Sequence, residues 1–274
     1  MAQTENKLRI PETLRKVKNI VGVFSAKGGV GKSAISLQIA LALKDKGLKV
    51  GLVDADIYGP SQPVMLNSAA GELKLTQDNV IEPLIKEGIK FISMGLISNE
   101  KMPVIWRGPM VSGAVMQLLS QTEWGELDYL IVDTPPGTGD VQLTLLQRIP
   151  LTSSIVVTTP QKVAISDCKK GIEMINKLSL PISGLIENMS WFQPDETDKK
   201  YYLFGRDGGK ELSEEYSLDL LAQLPLVELT DDANIQNNPT LKKEFVNISD
   251  KLTESIKNLK EKKSDGIPQI NIIQ

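Results

Sequence analysis

The sequence predicts a doubly wound α/β fold, in which a mostly parallel sheet is flanked by helices. Short runs of Val, Ile and Leu alternate along the chain with longer stretches whose apolar residues recur at helical spacing. The runs are apolar at nearly every position, as expected of strands that are buried on both faces. Because alternating strands and helices form right-handed βαβ units, the strands should lie parallel and end at one edge of the sheet.

The predicted elements follow one another in a regular order. The apolar runs that predict strands cover residues 20–24, 49–53, 89–94, 129–132, 154–158, 182–186 and 220–224. Helical spacing of apolar residues covers residues 33–46, 110–119 and 165–178. We expect one domain over residues 20–262, with an N-terminal extension at 1–19 and a C-terminal tail at 263–274.

Two scarce residue types exclude several classes of enzyme and metal site. The chain of 274 residues has no histidine, which rules out histidine general bases and histidine metal ligands. Its one cysteine, Cys168, rules out an intramolecular disulfide and any Cys-x-x-C motif within the chain. No apolar run approaches the ~18–20 residues that span a bilayer, and the N-terminus lacks the apolar core of a signal peptide. With a net charge of −3, these features predict a cytoplasmic protein with no transmembrane segment and no specific nucleic-acid partner.

A glycine-rich loop follows the first predicted strand and leads into the first predicted helix. Its glycines allow backbone amides to approach phosphate oxygens, and the helix N-terminus adds a partial positive charge. In the pattern G-x-x-x-x-G-K-[ST], the lysine reaches the β- and γ-phosphates of ATP and the hydroxyl binds Mg²⁺. Here these residues are Lys32 and Ser33, while Ala26 stands where the pattern has its first glycine. The full loop reads Ser25, Ala26, Lys27, Gly28, Gly29, Val30, Gly31, Lys32 and Ser33.

Two other interpretations of this loop remain open. It fits the dinucleotide pattern G-x-G-x-x-G/A from Gly29, with Asp54 at about the expected ~20 residues further on. That interpretation gives Lys32 and Ser33 no role. The loop is otherwise a glycine-rich turn without a ligand, although a Gly-Lys-Ser sequence at a strand–helix junction has few other uses.

Acidic residues follow two further predicted strands. Asp54 and Asp56 come after the second strand, and Asp133 follows four apolar residues of the fourth. A carboxylate at a strand tip beside a phosphate loop is typical of the Walker B group that holds Mg²⁺, which we assign to Asp133. Asp56 is the candidate for orienting the attacking water, and Gly137 would present a backbone amide to the γ-phosphate. The alternative for Asp54 and Asp56 is capping of the turn, a common role of aspartate.

These motifs resemble a known family. The stretch from Lys27 to Ser33 resembles the deviant Walker A motif of the MinD/ParA-type P-loop NTPases, the SIMIBI class. The segments VGLVDADIYGPS, VIWRGPM, VDTPPGTGD and GLIENMS are similar to the Mrp/ApbC branch of that class, whose ATPases are implicated in carrying iron–sulfur clusters. The similarity extends over residues 20–225 and implies a Mg²⁺-dependent ATPase. Arg107 lies in the second of these segments, and the residues alone indicate no role for it.

The resemblance implies roles for individual positions. Lys27 corresponds to the signature lysine that reaches the nucleotide of the partner subunit in an ATP-bound homodimer, where it offsets transition-state charge as an arginine finger does. Asn188 matches the residue whose amide recognises adenine. Without the family, Lys27 is a solvated lysine and Asn188 a turn residue. The expected catalytic residues are Lys27, Lys32, Asp56 and Asp133, and the expected magnesium ligands are Ser33, Asp56 and Asp133. The expected nucleotide-binding residues are Ala26, Lys27, Gly28, Gly29, Val30, Gly31, Lys32, Ser33, Gly137 and Asn188.

The chain departs from the family at the iron–sulfur site. Family members carry a Cys-x-x-C after the ENMS segment, and two such motifs across the dimer bridge a [4Fe–4S] cluster. Here residues 191–198 read WFQPDETD, without cysteine, and a dimer offers only two Cys168 thiols where a cubane cluster needs four thiolates. A free cysteine is most often a small buried hydrophobe. The acidic residues Asp195, Glu196 and Asp198 are more typical of a solvated loop than of a cation site.

Three functions are consistent with these features. The first is a slow ATPase that acts in iron–sulfur protein maturation, with scaffold or recipient proteins as partners. The second is an ATP-switched positioning protein of the ParA/MinD type that binds membrane or DNA, and the third is a nucleotide-dependent scaffold with slow turnover. Apolar residues from Leu241 to Leu259 form a helical stripe. We expect it to pack on the sheet rather than to bind a membrane surface, because the polar face of this helix mixes both charges.

Overall fold

The computed structural model describes residues 10–68, 73–75, 80–97, 108–194, 197–227 and 238–264. Arg107 and residues 265–274 of the predicted tail lie outside the described residues. The strands are β1 (Ile20–Phe24), β2 (Val50–Asp54), β3 (Lys74–Leu75), β4 (Ile81–Glu82), β5 (Leu84–Lys86), β6 (Ile89–Ser93), β7 (Tyr129–Asp133), β8 (Ser153–Thr158), β9 (Ile182–Glu187) and β10 (Leu220–Gln223). The helices are α1 (Lys32–Asp45), α2 (Gln62–Met65), α3 (Met94–Ile97), α4 (Gly108–Gln121), α5 (Asp140–Arg148), α6 (Lys162–Lys177), α7 (Gly208–Tyr216) and α8 (Pro239–Ser264). A short 3₁₀ helix covers Glu12–Leu14.

Eight of these strands form one sheet in the order β10-β9-β8-β1-β7-β2-β6-β5. Neighbouring strands are parallel except for β5, which runs antiparallel to β6 at the edge. β3 and β4 form a separate antiparallel pair. The mostly parallel, doubly wound sheet is therefore confirmed. β5 is a strand that was not predicted, because its residues are not fully buried and form no continuous apolar run.

Different helices cover the two faces of the sheet. Side chains alternate along a strand, so Val21 and Val23 of β1 pack with α1 and α8. Ile20 packs on the opposite face with α4, α5 and the fully buried Trp124. Phe24 lies on that same face in a neighbouring cluster with α6 and α7. With apolar side chains on both faces, the polar residues of the central strands are confined to the strand ends.

The C-terminal helix α8 packs on the sheet, as the sequence analysis expects. From Leu241 to Ile256 its apolar stripe is at most 4% exposed and belongs to the same core as α1, and Leu259 at its end is half-buried. Because this stripe is covered, it is not the exposed apolar face that a membrane-surface helix needs. None of the described helices is long and apolar enough to cross a membrane. The buried residues of the stripe are Leu241, Phe245, Ile248, Leu252 and Ile256.

The described residues before β1 pack against the rest of the domain. Leu14 is buried, Val17 forms a bridge with Leu127, and the Asn19 side chain donates to the Asp128 carbonyl at 2.8 Å. At the other end of the domain, α8 continues to Ser264. The domain limits at residues 20 and 262 stay predictions.

Candidate functional site

Three adjacent strands end together at the candidate site. β7 lies between β1 and β2 in the sheet, so the loop after β1 meets the tips of β7 and β2. Asp54 and Asp133, the last residues of β2 and β7, are register partners. In an open parallel sheet, ligands bind beyond the carboxyl ends of the strands. The topology therefore brings the predicted phosphate loop and the predicted acidic residues to one place.

The loop after β1 has a backbone conformation that favours glycine. Gly29 and Gly31 have φ angles of +79° and +83°, in the left-handed region where a Cβ atom is strained. At Gly31 a Cβ atom would also collide with Nδ2 of Asn188. Gly31 is the N-cap residue of α1, and no side chain caps this helix. No side chain therefore competes with an anion for the amides of the first turn.

Lys32 and Asp133 form a buried ion pair. Lys32 Nζ lies 2.5 Å from Asp133 Oδ1, and the two side chains are 6% and 0% exposed. The same carboxylate oxygen accepts a hydrogen bond from Ser36 Oγ at 3.0 Å. Buried charges persist in proteins when they are paired and hydrogen-bonded. The lysine expected to bind phosphate and the carboxylate expected to hold Mg²⁺ thus neutralise each other in this structure.

Gln62 connects the loop with both strand tips. Its Nε2 donates to the Ser33 carbonyl at 2.8 Å and to Asp133 Oδ2 at 2.9 Å. Its backbone N–H donates to Asp54 Oδ2 at 3.2 Å, and the side chain is fully buried. Two of the three expected magnesium ligands, Ser33 and Asp133, therefore contact the same amide group. Gln62 was not predicted, because no motif places a glutamine there. The one sequence feature that points to it is a polar residue at the start of a helix that follows an acidic loop.

Asp54 is a buried carboxylate held by three hydrogen bonds. The backbone N–H groups of Asp56 and Gln62 donate to it, and so does Ser93 Oγ. Burial, reinforced by the neighbouring Asp133, raises the pKa of Asp54 to about 7. The turn-capping interpretation of Asp54 is confirmed by its bonds to the backbone of the following loop. Ser93 is a further partner that the sequence analysis did not identify.

Asp56 borders a cavity beside the loop. Its Oδ1 accepts hydrogen bonds from the backbone N–H groups of Tyr58 and Gly59 at 3.2 and 3.3 Å. Burial raises the pKa of Asp56, and the charge of Lys32 opposes this rise. The cavity of about 570 Å³ lies between the loops that follow β2 and β7, and it has room for a phosphate group and water. Its other lining residues include Pro135, Pro136, Gly139, Asp140, Val141 and Gln142.

The remaining predicted nucleotide-binding residues lie around the loop. Asn188 Nδ2 donates to the Val30 carbonyl at 2.9 Å and so ties the end of β9 to the loop. The Gly137 N–H donates to the Ser25 carbonyl at 2.9 Å, so this amide is engaged within the protein. Lys27 is exposed, and no ion pair joins it to another described residue. Contacts of Asn188 with adenine, of Gly137 with the γ-phosphate and of Lys27 with a partner's nucleotide stay predictions.

Cys168 is a buried residue of α6, which confirms its interpretation as a small core residue. It is 1% exposed, and burial raises the pKa of its thiol to about 12. Metal ligation requires the thiolate, so this environment disfavours it. In the segment where family members have Cys-x-x-C, Asp195 and Glu196 lie outside the described residues. Within the described ranges, no group of three or more Cys, Asp or Glu side chains is placed to hold a metal ion.

The residues at the strand tips fit a nucleotide phosphate together with Mg²⁺. Lys32 and the uncapped amides of α1 are suited to an anion. The Ser33 hydroxyl and the Asp133 carboxylate are hard oxygen ligands, and Mg²⁺ is usually bound by one or two protein oxygens plus phosphate and water. Two buried atoms, Ser25 Oγ and Gln62 Oε1, have no hydrogen-bond partner within the described structure. Orphaned polar atoms of this kind match a site that a ligand completes.

Comparisons with known proteins agree with this geometry. The ParA family profile, described as NUBPL iron-transfer P-loop NTPase, matches residues 16–260. A Pseudomonas fragi protein named iron-sulfur cluster carrier protein is 47% identical over 223 residues, which are 81% of this chain and 78% of that protein. A protein of the same name from Methanocaldococcus jannaschii is 42% identical over 269 residues, 95% of this chain and 92% of that protein. A third, from Synechocystis, is 46% identical over 82% of this chain, which spans 65% of that protein's length.

Two solved structures share the fold of this chain. A nucleotide-binding protein from Archaeoglobus fulgidus, in complex with ADP, has a TM-score of 0.69 and 30% identity, covering 88% of this chain and 90% of that chain. The cell division ATPase MinD of Pyrococcus furiosus has a TM-score of 0.52 and 18% identity, covering 87% of this chain and 99% of that chain. The second likeness shows the shared fold alone. The family profile spans most of the chain and relatives exceed 40% identity, so this protein belongs to the ParA family of P-loop NTPases, in the group described as NUBPL iron-transfer proteins.

Proposed function

We propose that this protein is a Mg²⁺-dependent ATPase with slow turnover that acts in the maturation of iron–sulfur proteins. The observation that carries the proposal is the buried Lys32–Asp133 pair between the glycine-rich loop and the tip of β7. Lys32 is the cation that would bind phosphate, and Asp133 is the carboxylate that would bind Mg²⁺, so the ion pair brings the two groups together. The relatives named as iron–sulfur cluster carriers supply the biological context.

Lys32 and the first-turn amides of α1 would bind the β- and γ-phosphates of ATP. The phosphates offer Lys32 a new anionic partner, which leaves Asp133 Oδ1 free to serve the metal together with the Ser33 hydroxyl. Bound Mg²⁺ would neutralise charge on the phosphate oxygens. Asn188, which already contacts Val30 of the loop, would bind the adenine as the family resemblance implies.

Asp56 would orient the attacking water. Its Oδ1 takes two backbone N–H groups, while no donor among the described residues binds its Oδ2. That oxygen is left to accept a hydrogen bond from water in the adjoining cavity. The pKa of Asp56, raised by burial, makes it a better proton acceptor than an exposed aspartate.

A homodimer formed with ATP would complete the site. Lys27 is an exposed residue of the glycine-rich loop, and its resemblance to the signature lysine implies that it would reach the nucleotide of the partner subunit. Apolar side chains are also exposed on the loop and helix that follow β2, where Tyr58 is 63% and Val64 79% exposed, and Met110 of α4 is 52% exposed. We propose that a second copy covers them when ATP is bound.

The role in iron–sulfur maturation would not use this chain's own cysteine as a cluster ligand. Cys168 is its one cysteine and is buried with a pKa of about 12. The thiolates that a cluster needs would come from a scaffold or recipient protein, with this ATPase acting as a nucleotide-dependent partner. We place the protein in the cytoplasm, where a lone cysteine stays reduced.

The proposal is tested by phosphate release from ATP with the purified protein, with and without Mg²⁺, and by activation of an apo iron–sulfur recipient. We expect Mg²⁺-dependent release that falls about 10²–10⁴-fold in Asp56→Ala, the usual contribution of a group that handles the proton. Asp45→Ala is the control, because Asp45 lies at the exposed end of α1. Absence of Mg²⁺-dependent release would contradict the ATPase. ATP-dependent binding to liposomes or DNA, without an effect on recipient activation, would favour a positioning protein.

A further inference from the structure

Gln62 has a fixed orientation and one unsatisfied atom. Both contacts of its Nε2, the Ser33 carbonyl and Asp133 Oδ2, are hydrogen-bond acceptors. Exchanging the amide oxygen and nitrogen would place an acceptor against two acceptors, so the nitrogen must face them. The carbonyl oxygen Oε1 is buried and has no partner within the described structure. Both amide hydrogens of Gln62 are therefore donated to residues of the expected magnesium site, whereas its acceptor oxygen has no partner within the described structure.

The two oxygens of Asp133 have different partners. Oδ1 accepts from Lys32 Nζ and Ser36 Oγ, whereas Oδ2 accepts from Gln62 Nε2. A carboxylate held only through Oδ1 would turn when Lys32 moves to a phosphate. Because Gln62 holds Oδ2 separately, Oδ1 can exchange its partner while the carboxylate keeps its plane.

Gln62 also joins the loop that carries Asp56 to the phosphate loop. Its backbone N–H and that of Asp56 both donate to the Asp54 carboxylate. Its side chain reaches the Ser33 carbonyl in the first turn of α1. The position of the loop between β2 and α2 is therefore linked through one residue to the expected metal ligands.

We propose that Gln62 is a positioning residue of the magnesium site. Its amide holds the Asp133 carboxylate and the Ser33 backbone so that Asp133 Oδ1 and the Ser33 hydroxyl serve one ion. Its free Oε1 is an acceptor for a donor that arrives with the nucleotide and metal. Outer contacts of this kind typically change metal affinity by about 10–100-fold when they are removed. The inference rests on the proposed function, because it assumes that Mg²⁺ binds with the nucleotide at this site.

The experiment measures ADP affinity by calorimetry, once with saturating Mg²⁺ and once with a chelator, for the full chain and its variants. The dissociation constant in chelator divided by the dissociation constant with Mg²⁺ reports the contribution of Mg²⁺ alone. We expect Gln62→Met, which keeps the length of the side chain and removes both donors, to lower this ratio at least about tenfold. Gln62→Glu should do the same, because it places a carboxylate against two acceptors. The affinity for ADP without Mg²⁺ should change little in Gln62→Met.

A matched control separates this role from a merely structural one. Gln223 Nε2 also donates to a buried carboxylate, Glu187 Oε1, at 2.8 Å, but Gln223 lies on β10 and Glu187 on β9, away from the expected magnesium ligands. Gln223→Met should lower thermal stability without changing the ratio. If Gln62→Met does not fold, Gln62→Asn, whose shorter amide cannot hold both acceptors, takes its place. An unchanged ratio in the Gln62 variants would overturn the inference alone, whereas a wild type without any Mg²⁺ effect would overturn the inference together with the proposed magnesium site.

Discussion

Replacing Lys32 by methionine should strongly destabilise the nucleotide-free protein. The substitution removes the ammonium group from a pair in which both side chains are buried and the atoms lie 2.5 Å apart. Breaking one partner of a buried ion pair leaves an uncompensated charge and usually costs about 3–5 kcal/mol. Asp133 keeps its hydrogen bonds from Ser36 and Gln62, so we expect a loss near the lower end, about 3 kcal/mol.

A second substitution tests the cause of this loss. In Lys32→Met/Asp133→Asn the buried charge is gone, and the double variant should regain about 1–2 kcal/mol relative to the single variant. Lys46→Met is the control, because the Lys46–Asp250 pair has a similar N–O distance of 2.6 Å but is 26% and 66% exposed. An exposed pair contributes at most about 1 kcal/mol.

The assay is urea unfolding at neutral pH, followed by circular dichroism after nucleotide has been removed. The free energy of unfolding is extrapolated to zero denaturant for each variant. A free energy of unfolding for Lys32→Met within about 1 kcal/mol of the wild-type value would contradict a stabilising buried pair. A double variant less stable than the single one would contradict an uncompensated charge as the cause of the loss.

Three further substitutions test other parts of the structure. The pKa of Asp54 is about 7 in the fold against an ordinary 3.8, so the native state binds more protons in this range and wild-type stability should fall as the pH rises through it. Asp54→Asn should remove this dependence. If the free energies of unfolding of Asp54→Asn and of the wild type change in parallel between pH ~5 and ~8, the raised pKa of Asp54 is contradicted. Gly31→Ala should lower the free energy of unfolding in urea by about 1–2 kcal/mol or more, because Gly31 has a left-handed φ and a Cβ atom there would collide with Asn188. Gly113→Ala is the control, because a Cβ atom at Gly113 of α4 meets open space and should cause no such loss. Leu252→Ala should lower the free energy of unfolding by about 2–5 kcal/mol, because Leu252 is a fully buried residue of α8. A loss below about 1 kcal/mol would mean that α8 does not pack on the sheet.

The parallel strands could be predicted from the sequence, because the central strands of the sheet are buried on both faces and therefore appear as continuous apolar runs. The run at residues 20–24 and the strand β1 coincide, and the predicted ends of the other parallel strands differ from the structure by one residue at most. β5 could not be predicted in this way, since a half-exposed edge strand has neither a continuous apolar run nor a clear alternation.

The loop and its acidic partners were predictable because their chemistry fixes both residue type and spacing. Lys32, Ser33, Asp56 and Asp133 all meet at one edge of the sheet, as expected. Gln62 was not predictable, because its importance comes from an amide that reaches two residues distant in sequence, and only the packed structure brings these together.

The raised pKa of Asp54 has a similar origin. The sequence shows an aspartate at a strand tip, but burial and the register partner Asp133 determine its protonation. The proposed exchange of partners at Lys32 likewise depends on the buried pair that it forms with Asp133 in the folded site. Sequence patterns therefore predicted the candidate site, and only the contacts among its buried polar groups indicate how it would work.

The most direct test of the phosphate site is calorimetric titration of ATP with Mg²⁺ into the wild-type protein and into Lys32→Ala. We predict saturable binding of one nucleotide per chain to the wild type and no measurable binding to the variant, whose folding is checked by circular dichroism. Equal affinity of a folded Lys32→Ala for ATP would contradict the assignment of this loop to phosphate binding.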